Sequence, residues 1–236
     1  MSRLLEGTEV WDVDLAVHGL DWERYSGLLE DEERARAARF VTPELRRHFT
    51  TTRGVLRILA GQKLDRPPSS IRFQFSSHGK PSLRDSEGVF FNVAHSGSRA
   101  LVAFSTSDVG VDIEHIRPFP EPMNLVRRFF SRGELAEFEK VEAKDAESLF
   151  FKCWTRKEAF VKALGHGLSM GFDSFTVPLD ENCSDAPLIQ DPTTPGRRWK
   201  LIPLEFEDGY EGAIVVDPSA TTIHRRSWQR ISSFVQ

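Results

Sequence analysis

The chain has 236 residues, of which 39% are hydrophobic and 28% are charged, and its formal net charge is −4 at pH 7. This composition is typical of a globular protein with one domain or two small ones, and the negative balance argues against a general nucleic-acid binder. We see neither a signal peptide nor an apolar stretch near the roughly 18–20 residues that span a bilayer. The two cysteines, Cys153 and Cys183, form no CxxC pair, so we expect a reduced compartment and a soluble, cytoplasmic protein.

The N-terminal part of the chain combines one strand with basic helices. Val10–Val17 alternates apolar and polar residues, which predicts a half-buried strand. Asp21–Arg39 is charged and helix-prone, and Pro43 begins a helix predicted over Glu44–Ala60. Guanidinium groups bind phosphate oxygens in a planar fork. The region therefore offers either solvated helix faces or an anion site, formed by Arg34, Arg36, Arg39, Arg46, Arg47, Arg53 and Arg57.

The next segment predicts short strands joined by polar turns. Ile71–Phe75 alternates as a strand, and the HGKP turn that follows presents Lys80. Val89–Ala94 and Ala100–Ser105 predict a strand pair, with His95 at the end of the first strand. A lysine at a hairpin tip and a lone histidine are more often structural residues than ligand contacts. The two side chains therefore become functional candidates only if the surrounding motifs support that reading.

Gly110–Ile116, with the sequence GVDIEHI, predicts a strand with two carboxylates on one face. Strict alternation directs Asp112 and Glu114 to the side opposite Val111 and Ile113. Two carboxylates at this spacing repel each other, and a cation relieves the repulsion. Oxygen ligands without clustered Cys or His favour a hard ion such as Mg²⁺. The alternative is a solvated outer face of an edge strand.

A helix is predicted over Ala146–Leu164, with Gly165 as its stop signal. Glu158 and Lys162 are four residues apart, so they are neighbours on its surface, and a surface ion pair is the simpler reading. Lys157 falls within the apolar arc, which is unusual for a lysine. The remaining predicted elements are the helices Leu125–Phe130 and Glu134–Phe138, the strands Phe172–Val177, Trp199–Phe206, Gly212–Val216 and Thr222–Ile231, and a long loop over Asp180–Arg198.

Together these motifs resemble the 4′-phosphopantetheinyl transferases, in particular the larger, pseudo-dimeric Sfp type. GVDIE and the helix segment WTRKEAFVKALG match the family's acidic strand and its W-[ST]-x-K-E-[AS]-x-x-K helix. HGKP, FNVAHS and FSRGE resemble three further family motifs and follow in the same order. One departure is Ala94, which stands where the family commonly has serine.

The resemblance implies an α+β fold of two similar halves related by a pseudo-twofold axis, over residues 1–106 and 107–236. It implies transfer of 4′-phosphopantetheine from coenzyme A to a serine of an apo acyl or peptidyl carrier protein, with release of adenosine 3′,5′-bisphosphate. Asp112, Glu114 and Glu158 would hold Mg²⁺, with Mn²⁺ as the alternative. Glu158 would also act as the base, and Lys162 would stabilise charge on the pyrophosphate. We expect a monomer without nucleic-acid or membrane partners.

The resemblance also implies contacts to coenzyme A by Arg53, Lys80, His95 and Lys157. A faint internal repeat supports two halves, because RGVLRILAG resembles EAFVKALG and aligns Arg53 with Glu158. Carrier docking is expected on Phe119–Phe130, where Arg127 and Arg128 would meet an acidic carrier helix, unless the apolar residues of that segment are simply core. Two other functions stay open: a Mg²⁺-dependent nucleotide pyrophosphate hydrolase and a non-catalytic coenzyme A-binding module.

Overall fold

A computed structural model gives the fold for residues 7–18, 21–86, 88–167, 170–180, 187–207, 209–220 and 222–228. Helices mix with mostly antiparallel sheets in this part of the chain, and the predicted α+β class is confirmed. The strands are β1 (Thr8–Asp14), β2 (Phe73–Phe75), β3 (Pro81–Leu83), β4 (Phe90–Ser96), β5 (Arg99–Ser105), β6 (Val109–His115), β7 (Leu188–Gln190), β8 (Arg198–Leu204), β9 (Tyr210–Val216) and β10 (Ile223–Ser227). The helices are α1 (Leu15–His18), α2 (Trp22–Ser26), α3 (Asp31–Ala38), α4 (Pro43–Leu64), α5 (Pro122–Phe129), α6 (Arg132–Phe138) and α7 (Ala146–Leu164).

Two four-stranded sheets lie face to face between two long helices. The strand order is β10-β1-β5-β4 in the first sheet and β6-β9-β8-β7 in the second. Their inner faces share one core, which includes Leu101, Val111 and Ile214. Residues of α4 such as Leu56 pack on the outer face of the first sheet, and residues of α7 such as Phe160 pack on that of the second. Each half is therefore a helix-on-sheet unit, and the halves meet sheet to sheet.

The last described strand returns to the first half of the molecule. β10 follows β9 in the chain but pairs in parallel with β1. Trp228 comes next and is buried, and its indole Nε1 donates to the hydroxyl of Tyr25 at 3.3 Å. The expected division at residue 106 thus separates the two sheets except for β10. The predicted end of this strand, Ile231, lies outside the described residues.

Three expectations of local structure are wrong. The strand predicted over Val10–Val17 ends at Asp14, because the carboxylate of Asp14 accepts the backbone N–H of Val17 at 3.1 Å and begins α1. Val17 is exposed as a result. The predicted strand Phe172–Val177 is an irregular segment with a 3₁₀ turn at Phe172–Ser174. The predicted loop Asp180–Arg198 contains the short strand β7.

The two long helices begin and end at recognisable signals. α7 has the bounds predicted from the sequence, and Gly165 follows it with φ +76°, a left-handed conformation that glycine adopts readily. α4 begins at Pro43, as predicted, and the hydroxyl of Thr42 accepts an N–H of its first turn. It continues past the predicted end to Leu64.

The structure also bears on two expectations drawn from composition. No helix in the described part of the chain combines the length and apolar character that crossing a membrane requires. Cys153 is buried in α7 as a free thiol, as expected for a residue on the core side of that helix. Cys183 lies outside the described residues.

Candidate active site

β6 carries its two carboxylates on the face that meets α7. Val111 and Ile113 point into the core between the sheets, so the alternating side chains of Asp112 and Glu114 point to the other side. At Gly110 the strand touches the helix, because a Cβ at this position would overlap a backbone carbonyl of α7. The glycine before the acidic pair therefore permits the close packing that brings strand and helix side chains together.

An ion pair joins α7 to β6 at this contact. Nζ of Lys162 lies 2.6 Å from Oδ1 of Asp112, whose side chain is only 6% exposed. The other carboxylate oxygen, Oδ2, is buried and has no hydrogen-bond partner among the described residues. Leaving a buried polar atom unpaired costs about 1–3 kcal/mol. Oδ2 of Asp112 is therefore a point at which a bound ligand would be stabilised.

The charged groups of β6 and α7 influence one another's ionisation. Burial raises the pKa of Asp112 to about 7, although Lys162 opposes the rise. Burial also raises the pKa of Glu158, and the charge of Glu114 adds to the effect in both residues. Burial lowers the pKa of Lys162, but the three carboxylates together raise it above its ordinary value. These four side chains form one electrostatic unit, which we call the cleft cluster.

The three predicted metal ligands do not form a ready-made site. No group of three or more His, Cys, Asp or Glu side chains in the described ranges is arranged to hold a metal ion. The cation bonded to Asp112 is instead the Lys162 ammonium. The three carboxylates were expected to converge on one ion. In the described structure they are related only through the effects of their charges on one another's pKa. The donors still fit a divalent cation, because Oδ2 of Asp112 lacks a partner within the described ranges and the nearby charged groups include carboxylates, which Mg²⁺ prefers.

Glu114 is held from the other half of the molecule. The hydroxyl of Ser96, the last residue of β4, donates to Oε2 of Glu114 at 2.7 Å. The same hydroxyl oxygen accepts the backbone N–H of His115 at 3.1 Å. Sequence reasoning named His95 from the FNVAHS motif and missed the serine beside it. The sequence did contain a signal for Ser96, because its hydroxyl directly follows the candidate ligand His95 in the FNVAHS motif.

His95 lies close to several cationic side chains. Its side chain is accessible to solvent, yet the surrounding protein lowers its pKa, as do the charges of Lys162, His48 and Arg36. The imidazole is therefore neutral at pH 7, and a phosphate group bound here would meet positive charge. Sequence reasoning did not single out His48, because its position in an arginine-rich helix was the only indication of a functional role.

The structure does not support Arg53 as a coenzyme contact. Its Nε lies 2.9 Å from Oε1 of Glu33, and its side chain is 12% exposed. The guanidinium also covers the ring of Phe73, with 4.6 Å between its central carbon and the ring centroid. The prediction placed this charge in the ligand cleft. The structure uses it to join α4 to α3 and to the β2–β3 hairpin.

Lys80 joins the two halves rather than projecting into solvent. Its Nζ donates to the carbonyl oxygen of Ala163 at 2.8 Å and to Oδ1 of Asp108 at 3.2 Å. A lysine at the C-terminal end of a helix also interacts favourably with the helix dipole. Burial lowers the pKa of Lys80, although the charge of Asp108 opposes the change. The ammonium is thus bonded to the end of α7 in this structure, and the contact of Lys80 to coenzyme A that the resemblance implies stays a prediction.

Lys157 is a core residue, which corrects its prediction as a coenzyme contact. Its side chain and that of Glu134 are both fully buried, with 2.8 Å between Nζ and Oε1. The ammonium also donates to the carbonyl oxygens of Phe172 and Phe175, at 2.6 Å and 2.8 Å. The pair therefore ties α6 and the 172–177 segment to α7. It also explains why a lysine occurs on the apolar side of that helix.

Comparison with known families accounts for both halves of the chain. A model described as "4′-phosphopantetheinyl transferase, N-terminal" matches residues 18–107. A second, described as "4′-phosphopantetheinyl transferase superfamily", matches residues 108–215. The second match contains β6 and α7, and therefore the whole cleft cluster.

Individual relatives are similar to this chain over most of their own length. The chain is 31% identical to the 4′-phosphopantetheinyl transferase HetI of Nostoc sp. over 225 residues, which cover 92% of this chain and 90% of HetI. It is 31% identical to the 4′-phosphopantetheinyl transferase Sfp of Bacillus subtilis over 198 residues, 79% of this chain and 86% of Sfp. It is 38% identical to the slr0495 protein of Synechocystis sp. over 180 residues, 75% and 72% of the two chains. The protein belongs to the 4′-phosphopantetheinyl transferase family of enzymes.

Proposed function

We propose that this protein transfers the 4′-phosphopantetheine group of coenzyme A to a serine hydroxyl of an apo acyl or peptidyl carrier protein. The reaction forms a bond between the serine oxygen and the β-phosphorus of the pyrophosphate. It breaks the bond from that phosphorus to the bridging oxygen and releases adenosine 3′,5′-bisphosphate. The observation that carries the proposal is the cleft cluster in a member of this family, in which one oxygen of buried Asp112 has no hydrogen-bond partner among the described residues.

Glu158 is suited to take the proton from the carrier serine. Its pKa is raised by burial, and a base is most effective when its pKa is close to the working pH. Lys162 has a pKa above its ordinary value, so it stays cationic and can stabilise charge on the pyrophosphate as the bond breaks. The two side chains are four residues apart on α7, so one helix positions both groups.

Asp112, Glu114 and Glu158 would hold the divalent cation, with Mg²⁺ preferred and Mn²⁺ as the alternative. When bound, the ion supplies charge neutralisation on the pyrophosphate. Asp112 would offer its unpaired Oδ2. Ser96 donates to Oε2 of Glu114, so this carboxylate would be presented to the ion in a fixed orientation. Loss of a proton from Asp112, whose pKa is about 7, would accompany binding.

A phosphate of coenzyme A would bind near His95. The supporting observation is the positive charge of Lys162 and Arg36 near this residue, where His48 also lies. These side chains come from β4, α7, α4 and α3, so they belong to both halves of the molecule. This placement replaces the earlier candidate Arg53, whose charge is paired with Glu33.

The carrier protein would dock on α5. Arg127, Arg128 and Phe129 are exposed on this helix, and Phe129 is 40% exposed. Met123 and Leu125 pack against the core of the second half, so these two apolar residues are core residues, which was the alternative to a docking role. The proposed docking surface is therefore narrower than Phe119–Phe130. Two adjacent arginines suit an acidic carrier helix.

Incubation with coenzyme A, Mg²⁺ and a panel of apo carriers, followed by intact mass spectrometry, tests the proposal. We expect at least one carrier to gain the mass of one phosphopantetheine, and the gain to disappear with EDTA. Consumption of coenzyme A without a carrier would instead support a hydrolase. Binding of coenzyme A without any turnover would support a non-catalytic module.

A further inference from the structure

Side chains of β4 bridge the junction between the two sheets. β4 belongs to the first sheet and β6 to the second. The Oδ1 atom of Asn92 accepts the backbone N–H of Val111 at 2.9 Å, and Oγ of Ser96 accepts that of His115 at 3.1 Å. The two contacts attach opposite ends of β6 to the first half. Ser96 differs from Asn92 because it also bonds to Glu114 in the cleft cluster.

The contacts of Ser96 fix the direction in which its proton points. A serine hydroxyl has one proton to donate and lone pairs with which to accept. The backbone N–H of His115 can only donate, so the serine oxygen accepts there. Its own proton is then available for Oε2 of Glu114 at 2.7 Å. Ser96 is 9% exposed, so water competes weakly for this hydrogen bond.

Ser96 is the main group that orients Glu114 in the described part of the chain. Arg117 also faces Oε2 of Glu114, but its Nη1 lies 3.9 Å away and its side chain is 58% exposed. An exposed ion pair at that distance contributes little to orientation. The serine hydrogen bond is shorter, better shielded from water and anchored to a backbone amide. By fixing Oε2, it also sets the direction in which the other oxygen, Oε1 of Glu114, is presented.

We propose that Ser96 is a positioning residue, contributed by the first half, that fixes the carboxylate of Glu114 for divalent-cation binding. The inference depends on the proposed function, because it takes Glu114 as a ligand. Groups that orient metal ligands typically change metal affinity by 10–100-fold when they are removed. Ser96 acts only through Glu114, so its effect must disappear when Glu114 cannot bind the ion.

The chain offers a matched control two residues away. Oγ of Ser98 lies 3.2 Å from the hydroxyl of Tyr210, so this serine also bonds from the first half to the second. Ser98→Ala deletes a hydrogen bond across the same junction without touching a carboxylate. A general loosening of the junction would affect both alanine variants. Loss of orientation at Glu114 would affect only Ser96→Ala.

The experiment titrates Mn²⁺ into the protein with coenzyme A in fixed excess, with free Mn²⁺ followed by electron paramagnetic resonance and a protein-free titration as the blank. We expect Ser96→Ala to weaken Mn²⁺ binding by about tenfold and Ser98→Ala to leave it unchanged. In the Glu114→Gln background, Ser96→Ala should have no further effect. Thermal unfolding checks each variant, and if Ser96→Ala fails to fold, Ser96→Cys, which keeps a weak donor, takes its place in the same titrations.

Each outcome decides between the alternatives. Wild-type affinity in a folded Ser96→Ala, equal weakening in Ser98→Ala, or an undiminished effect in the Glu114→Gln background would overturn the positioning role. The proposed function would stand in all three cases if wild-type protein still modified a carrier. A wild-type protein that binds no Mn²⁺ would overturn the proposed function together with this inference.

Discussion

Helices α4 and α7 occupy corresponding places in the two halves, yet their charged side chains are used differently. The internal repeat aligns Arg53 with Glu158 and Arg57 with Lys162. On α4, both arginines lie within 2.9 Å of the carboxylate of Glu33. On α7, Lys162 neutralises one oxygen of a buried aspartate, and the other oxygen has no hydrogen-bond partner in the part of the chain that the structure describes.

The difference separates a charge group that holds the fold from one that can receive a ligand. The charge group at α4 consists of Glu30, Glu33, Arg53 and Arg57. Its Arg57 also donates a hydrogen bond to the backbone carbonyl of Ile71 at 2.8 Å. It thus fastens α3, α4 and the segment before β2 to each other. The cleft cluster has three carboxylates against one ammonium, so a bound cation would complete it. Substitutions in the two charge groups test this contrast.

The largest effect is expected from Glu158→Gln in the cleft cluster. Loss of the base and of one cation ligand should lower the rate of carrier modification by about 10²–10⁴-fold. Stability should not fall, because the raised pKa of Glu158 shows that burial opposes its charge. Single-turnover transfer and urea unfolding measure the two quantities. The matched control is the exposed Glu137→Gln on α6, and full activity in Glu158→Gln would reject this residue as base and ligand.

On α4, the corresponding test affects stability instead of activity. Arg57→Met should lower the free energy of unfolding by about 1–3 kcal/mol, because the buried Glu33 loses one of the two guanidinium groups that neutralise it and keeps only Arg53. The rate per folded molecule should be unchanged. Arg34→Met, which removes an exposed ion pair with Asp31, should cost at most about 1 kcal/mol. Equal urea midpoints for the two variants would contradict the assignment of Arg57 to the fold.

The ionisation of Asp112 predicts how pH affects the cleft cluster. Its pKa is about 7, and a proton on the carboxylate competes with a metal ion. The affinity for Mn²⁺ should therefore rise with pH, by up to about tenfold per unit below pH 7, and level off above it. Calorimetry in buffers of different ionisation enthalpy measures the proton released. Asp112→Asn should remove this dependence, and an identical slope in that variant would assign the proton to another group.

The smallest effect is expected at the exposed surface of α5. Arg127→Glu should raise KM for the carrier by about fivefold, since like charges now meet across the contact, while coenzyme A affinity stays the same. Steady-state kinetics with varied carrier and a separate coenzyme A titration distinguish these effects. Arg24→Glu, an exposed reversal on α2, serves as the control. An unchanged carrier KM would remove α5 from the docking surface.

Local sequence patterns predicted the parts of the fold that depend on neighbouring residues. The bounds of α7 follow from its periodicity and from Gly165, and the alternation in GVDIEHI correctly placed Asp112 on the face of the strand opposite Val111 and Ile113. Phe172–Val177 has the composition of a strand, but its carbonyl groups accept hydrogen bonds from Lys157 instead of from another strand. No local pattern reports such a contact.

Partners distant in sequence decided which candidate site residues were misplaced. The spacing within α7 put Glu158 beside Lys162, which is a local relationship. Arg53 and Lys157 looked equally available, because the glutamates that neutralise them lie on other helices. The resemblance of motifs pointed to the two segments that carry the cleft cluster, but the pairing of charges across elements required the tertiary structure.

The most direct test of the account is the position of a bound ion. Crystals of the protein grown with coenzyme A and Mn²⁺ would locate it by anomalous scattering. We predict a single manganese peak on the pyrophosphate, with carboxylate oxygens of Asp112, Glu114 and Glu158 at about 2.1 Å. A peak elsewhere, or coenzyme A bound with Lys162 still paired to Asp112 and no ion beside it, would contradict the account.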